Sequence, residues 1–215
     1  MRVRRLAILL SGLAPNPNES VDLEQYPIEG DLAARWLADI TAFGDLYKGC
    51  KVADLGAGNG VLGLGALAMG AGRAILVEAD EAACEVAKSN VESMKSTDLV
   101  EVIRATLGSD PVDLSSGDVV ISNPPWGRQT PKADRPFLEA ILSTGVPAHL
   151  LHSAEATHIR PLFEDAGWSS ERYGEADFAL PAAYSHHSRR RGRTRAAFWR
   201  LVPPCAYASI RPDRS

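Results

Sequence analysis

Cys50-Lys-Val-Ala-Asp-Leu55 is a short apolar run that reads as a strand, and it leads directly into Gly56-Ala-Gly-Asn-Gly60. Val61 to Met69, rich in Leu, Gly and Ala, then reads as a helix, and Ala74-Ile-Leu-Val-Glu78 as a second strand. Strand, glycine turn, helix and strand make a βαβ unit, which implies parallel strands and a right-handed crossover. Glycines allow positive φ and close backbone approach at such a turn. The first N–H groups of the helix have no partner inside it and are available to a ligand. Glu78 ends the second strand, where a carboxylate can accept hydrogen bonds from a ribose diol. A plain βα turn beside a solvated acid has the same local pattern, so the loop alone decides nothing.

The rest of the chain extends this unit. A helix is expected from about Glu81 to Met94, a third strand near Leu99 to Ile103, and a fourth over Asp118 to Ser122. Phe137 to Leu142 reads as a helix, Pro147 to Leu151 as a strand, and Ala154 to Ala166 as another helix. Trp168 to Tyr173 and Ala196 to Val202 read as two last strands, joined by a long polar loop. Ahead of the unit, Leu6, Leu9, Leu10 and Leu13 share one face of a short amphipathic helix. Arg2, Arg4 and Arg5 before it give a superficial likeness to a secretory signal, but the apolar stretch is too short to span a bilayer. Asp31 to Phe43 carries Leu32, Ala33, Trp36, Leu37 and Ile40 at helical spacing.

The chain has 215 residues, 45% hydrophobic and 23% charged, which suits one globular domain with a full core. Its net charge of −4 gives no chain-wide basic field, so any nucleic-acid contact must come from a local patch. Cys50, Cys84 and Cys205 form neither a metal spacing nor a disulfide framework, which suits a reducing cytoplasm. His149, His152 and His158 read as strand-end and helix-surface residues, and no metal site is expected from their spacing.

The fourth strand ends in Asn123-Pro124-Pro125-Trp126. Each proline fixes its own φ, and Pro125 pushes Pro124 toward extended geometry. The Asn123 side-chain oxygen and the Pro124 carbonyl are then two acceptors for an amino group, and Trp126 is a flat platform for a planar ring. Parallel sheets bind ligands at the carboxyl ends of their strands, so this corner and the glycine turn should face one another. A dinucleotide loop needs glycine or alanine at position 61, where this chain has Val61. Asp54 adds an acid just before the glycines. The Asp-x-Gly-x-Gly-x-Gly form is similar to the S-adenosylmethionine loop of class I methyltransferases. In such an enzyme Asp54 orients the loop or meets the cofactor's ammonium.

Four stretches together carry a family likeness: Leu23-Glu-Gln-Tyr-Pro27, Val52 to Leu62, Asn123-Pro-Pro-Trp-Gly127, and Leu180-Pro-Ala-Ala-Tyr-Ser-His-His187 followed by basic residues. The chain resembles the small-subunit rRNA adenine-N6 methyltransferases of archaea and eukaryotes, methyltransferase-like protein five and its relatives. The resemblance implies an α/β fold of the class I (Rossmann-like) type, with a mostly parallel seven-stranded sheet, helices on both faces and an N-terminal helical extension. It implies one methyltransferase domain over residues 1–203, divided into an extension (1–45) and a catalytic core (46–203), with a tail over 204–215. By the same resemblance Gln25 and Tyr26 close over S-adenosylmethionine, and Ile28, also expected at the cofactor, stands where the family usually has Thr. Gly56, Ala57, Gly58, Asn59, Gly60 and Val61 hold its amino-acid part and Glu78 its ribose. Ala105 and Thr106 stand where the family has an Asp for the adenine amino group, so that contact must come from a backbone group, Thr106 or a shifted acid. The family also implies a small zinc-binding activator subunit over an exposed sheet edge.

Arg189, Arg190, Arg191, Arg193 and Arg195, with Tyr184, His186 and His187, are candidates to clamp phosphates and stack a base of RNA. A charge run is also the ordinary mark of a solvated loop. Other amino-group methyltransferases, acting on protein glutamine, guanine-N2 or DNA adenine, share the Asn123 corner. A catalytically silent RNA-binding scaffold would keep the fold.

Overall fold

The computed structural model of the protein describes residues 1–16, 27–179 and 193–204, with backbone alone at 179 and 193. One seven-stranded sheet runs through it in the order β3-β2-β1-β4-β5-β7-β6. Its members are β1 (Lys51–Leu55), β2 (Arg73–Glu78), β3 (Val100–Arg104), β4 (Val119–Ser122), β5 (Ala148–Ser153), β6 (Ser169–Ala179) and β7 (Arg193–Val202). The first five pair in parallel, and β7 is antiparallel to both β5 and β6. Strand order reverses between β1 and β4, which puts the switch point at the carboxyl ends of Leu55 and Ser122.

β1, β2 and β4 are buried over nearly their whole length, as parallel strands covered on both faces must be. One face packs on α1 (Val3–Ser11), α2 (Gly30–Phe43) and α3 (Val61–Met69) through Leu6, Leu10, Trp36, Leu37, Ile40 and Leu62. The other packs on α5 (Arg135–Thr144) and α6 (Ile159–Asp165) through Leu138, Ile141, Ile159 and Phe163. Each such side chain contributes about 1.5–3 kcal/mol on full burial. α4 (Glu81–Ser93) begins on an Asp80 cap, whose carboxylate accepts the Ala82 amide at 3.0 Å. Gly63 lies inside α3 because a Cβ there would come within 2.2 Å of Leu76 Cδ2, so the helix could not sit this close to β2 with a side chain at that position.

Several boundaries differ from the sequence reading. The buried stripe of α1 is Leu6, Ala7 and Leu10, and Leu9 lies at its rim, 37% exposed. α6 starts at Ile159 rather than Ala154, since Pro161 has no N–H to give and is tolerated only in a first turn. Residues before it instead close onto β7, where the Ala154 amide reaches the Arg195 carbonyl at 2.9 Å. β6 and β7 are longer than their apolar cores and pair through Asp177↔Arg195 and Phe178↔Thr194 out to Ala179↔Arg193, across a register shift between Arg172 and Gly174. Arg195 is therefore a strand residue, ion-paired with Glu175.

A polar network crosses the core beside β5. Asp45 accepts from His149 Nε2 at 2.9 Å and from Arg200 Nε at 2.6 Å. Trp36 Nε1 donates to the Tyr173 hydroxyl at 2.8 Å, and that hydroxyl lies 3.3 Å from His149 Nδ1. Burial holds the His149 pKa below its ordinary value, against the pull of Asp45. A neutral His149 that donates from Nε2 and accepts at Nδ1 satisfies the whole chain. No helix among the described residues is long and apolar enough to cross a membrane.

Candidate functional site

A cleft of about 720 Å³ opens at the switch point, within the range of roughly 300–1,000 Å³ common for small-ligand sites. Gly56, Ala57, Gly58, Asn59 and Val61 line it from the β1–α3 turn, Glu78 from the end of β2, Ala105 and Thr106 from the end of β3, and Asn123 and Pro125 from the end of β4. Ile28 closes one side. The glycine turn and the Asn123 corner meet: a Cβ on Gly56 would lie 3.9 Å from the Asn123 carbonyl oxygen.

The acids are tied to backbone. Glu78 Oε2 accepts the Gly58 amide at 2.8 Å, and its Oε1 accepts the amides of Ala79 and Asp80 at 2.9 and 3.0 Å. Asp54 is 1% exposed beneath the loop, and one of its oxygens accepts the Gly63 amide at 2.9 Å. Its other oxygen has no hydrogen-bond partner. Burial raises the Asp54 pKa to about 7, opposed by the Gly63 bond and reinforced by the charge on Glu78. Asp54 thus braces the first turn of α3 and does not line the cleft.

Asn59 also has a bracing part. Its side-chain nitrogen donates to the Ala14 carbonyl at 3.0 Å and its oxygen accepts the Val61 amide at 3.3 Å. Buried Asn90 of α4 completes the tie, donating to the carbonyls of Ala14 and Asn59, each at 3.0 Å, and accepting the Ala14 amide at 2.8 Å. Sequence reasoning missed Asn90, because an Asn inside an amphipathic helix carries no signal of its partners. At the end of β3 the Thr106 amide donates to Asp110 at 2.7 Å, so an acid shifted along the chain holds this wall. Gly60, wedged against Leu76, is buried and does not line the cleft.

Pro124 is buried, and one expectation for the corner needs correction. Trp126 is 6% exposed and belongs to the core cluster under α1 and α2, so its ring is not presented to the cleft. Phe137 of α5, with Pro136 and Ala133, supplies apolar wall there instead. Gln25, Tyr26, Tyr184, His186, His187, Arg189, Arg190 and Arg191 lie outside the described residues, and of Arg193 only the backbone is described.

Three groups that sequence spacing kept apart come together behind the corner. Asp134, ahead of α5, accepts on one oxygen from His152 Nε2 at 3.1 Å and from His158 Nε2 at 2.5 Å. Burial works against the Asp134 charge, but these two bonds outweigh it and hold its pKa below the ordinary carboxylate value.

The family model of the methyltransferase small domain matches residues 31–151, a span that holds the glycine turn, Glu78 and the Asn123 corner. The rRNA N(6)-adenosine-methyltransferase METTL5 of Danio rerio is 30% identical, over 94% of this chain and 100% of that protein. The chain belongs to the methyltransferase small-domain family and, within it, to the METTL5 group. An uncharacterized protein of Methanocaldococcus jannaschii is 35% identical over 88% of this chain and 89% of its own length. The crystal structure of the PH1948 protein of Pyrococcus horikoshii superposes with a TM-score of 0.82 at 32% identity, covering 94% of this chain and 98% of that one.

The protein is therefore a methyltransferase that uses S-adenosylmethionine, on the α/β Rossmann-like fold that the sequence implied. The residues present suit that cofactor. Gly58 has φ +54, and a Cβ on it would meet nothing within 4 Å, so the turn offers bare backbone to the cleft. Glu78 stands beside it with lone pairs beyond those its three amides use.

Proposed function

We propose that this methyltransferase modifies the N6 amine of an adenine in RNA, and that its substrate is small-subunit rRNA. The observation that carries the reading is the meeting of Asn123 and Pro125 with Gly58 and Glu78 around one cleft. S-adenosylmethionine, when bound, supplies an electrophilic methyl group. The exocyclic amine of adenine is a poor nucleophile, because its lone pair is spread into the ring. The Asn123 side-chain oxygen and the Pro124 carbonyl accept its two hydrogens and favour a tetrahedral nitrogen. Charge builds on that nitrogen in the transition state, so the same acceptors strengthen there. Asn123 is a neutral amide and a very poor base, and the proton leaves to water. The base packs against Pro125 and Phe137, since Trp126 is turned into the core.

Gln25, Tyr26 and Ile28 close the cofactor side, and Ala105 and Thr106 form the adenosine wall with Asp110 behind. Tyr184, His186, His187, Arg189, Arg190, Arg191, Arg193 and Arg195 bind the RNA backbone and bases. The family resemblance supports a zinc-binding activator subunit on an edge of the sheet, and of the two edge strands, β3 and β6, we assign it to β3, where Leu99 is 45% exposed. Residues 1–203 act as one methyltransferase domain, in the cytoplasm.

The deciding experiment incubates the protein and labelled methyl donor, with and without the activator, on ribosomal subunits, naked DNA and a release factor. Label in the rRNA, recovered as N6-methyladenosine, is expected. Label in the release factor alone would overturn the reading.

A further inference from the structure

Trp126 belongs to the corner by sequence but not to the cleft by position. Its ring stacks on His152, with centroids 6.0 Å apart and planes 25° apart. Phe178 of β6 tilts against it at 5.0 Å, and the Arg128 guanidinium lies over it at 5.7 Å. Arg128 in turn donates to the Thr194 hydroxyl of β7 at 2.7 Å. Trp126 is thus a strut between the corner, β5 and the β6–β7 pair.

His152 is 1% exposed, and its orientation rests on one hydrogen bond, from Nε2 to Asp134, because Nδ1 has no partner. Asp134 itself is 4% exposed, and its carbonyl accepts the Phe137 and Leu138 amides at 3.0 and 3.1 Å. The same residue therefore orients the ring behind Trp126 and fixes the turn of α5 that brings Phe137 to the cleft. Between Trp126 and Asp134 the chain takes positive φ at Gly127 and Lys132, a tight path whose two ends are both held.

We propose that Asp134 and His152 are positioning residues for methyl transfer: by clamping Trp126 and the start of α5 they hold the Asn123–Pro125 corner in its shape. The proposal rests on the reading of that corner as the amine-binding side of the cleft. His158, half exposed, is the outer member that completes the Asp134 acceptor.

The ligand-type atoms of Asp134, His152 and His158 all lie within 4.8 Å of one another, which is also a donor set for a metal ion. The surroundings favour the hydrogen-bonded arrangement. A cation on Nε2 would move the His152 proton to Nδ1, a buried position with no acceptor. Histidines that bind metals almost always donate that second proton, and orphaned buried N–H groups are rare. With Asp134 as acceptor the proton stays on Nε2, and only a lone pair is left over.

The test compares the full-length protein with His152→Phe, which keeps a flat ring but loses the bond, Asp134→Asn, which keeps the shape but loses the charge, and His152→Gln, which keeps a donor. The readouts are the Trp126 indole N–H resonance (assigned by its absence in Trp126→Phe), the Kd for S-adenosylmethionine, and kcat on whichever amine substrate the wild type methylates. In the Phe and Asn variants the resonance is expected to move, kcat to fall about tenfold or more, and the Kd to change less than about twofold. The Gln variant should recover part of the rate. An unmoved resonance with kcat within about twofold of wild type, in folded Phe and Asn variants, would overturn the proposal. So would stoichiometric zinc that survives dialysis against a chelator in the wild type and is lost in both variants. Failure of the RNA reading shows in the wild type alone, as a different methylated product, and leaves the resonance free to decide.

Discussion

Glu78 Oε2 accepts the Gly58 amide at 2.8 Å, so the end of β2 holds the glycine turn that leaves β1. With the Ala79 and Asp80 amides on its other oxygen, this carboxylate shapes the turn beside the cleft, and the proposed ribose contact would use its remaining lone pairs. Glu78→Ala would leave three amides without their acceptor. Hydrogen bonds to a charged group contribute about 1.5–3 kcal/mol each, so even a partial loss should show. We expect the Kd for S-adenosylmethionine, measured by calorimetry, to rise about tenfold to a hundredfold, with a lower Tm. A Kd within twofold of wild type would remove Glu78 from the cofactor site.

Asn123→Ala should leave the cofactor Kd nearly unchanged, because Asn123 follows β4 and Glu78 ends β2, with β1 between the two strands. Loss of an acceptor that works mainly in the transition state should lower kcat by about a hundredfold or more. Single-turnover transfer on the wild-type substrate checks this. A fall in kcat/KM that comes only through KM would make Asn123 a binding residue.

The glycine turn, Glu78 and the parallel strands were legible because each has a local cause. Central strands buried on both faces must be continuous apolar runs, and bare backbone at a ligand needs glycine. The long β6–β7 pair was not legible. Its outer residues, among them Glu175, Asp177 and Arg195, alternate between exposed and half-buried at the open edge and pair with each other across the hairpin. Trp126 shows a second limit. An aromatic after two prolines looks the same whether its ring faces a ligand or the core, and here Phe178 and His152 settle it from elements distant in sequence. Asp134, His152 and His158 failed every spacing rule because they come from the lead-in to α5, the end of β5 and the lead-in to α6.

Asp54 gives an unusual pH dependence. Its folded pKa of about 7 lies above the ordinary 3.8, so between these values the folded protein holds a proton that the unfolded chain has lost. Stability from this group therefore falls as pH rises from about 4 to about 7, and is level above that. Asp54→Asn removes the effect. Measured by urea denaturation, wild-type stability should fall relative to that of the variant as pH rises over this window. Identical slopes would mean that Asp54 is ionised and accommodated in the fold.

His149 and Asp45 act in the opposite direction. The His149 pKa is lowered, so below pH 6.5 the unfolded chain takes up a proton that the folded protein refuses, and stability falls with falling pH. Burial raises the Asp45 pKa, but the His149 and Arg200 bonds outweigh it, so its contribution is lost at still lower pH, through a value below 3.8. Below pH 6.5 the Asp54 and His149 effects oppose each other, so the wild type should lose less stability with falling pH than Asp54→Asn does. In Asp54→Asn the His149 decline should stand alone as a loss of stability below pH 6.5. Adding His149→Gln should then reduce that decline, at a cost in overall stability from the disturbed Tyr173 and Asp45 bonds. An acid decline of equal slope in the double variant would place its source away from His149.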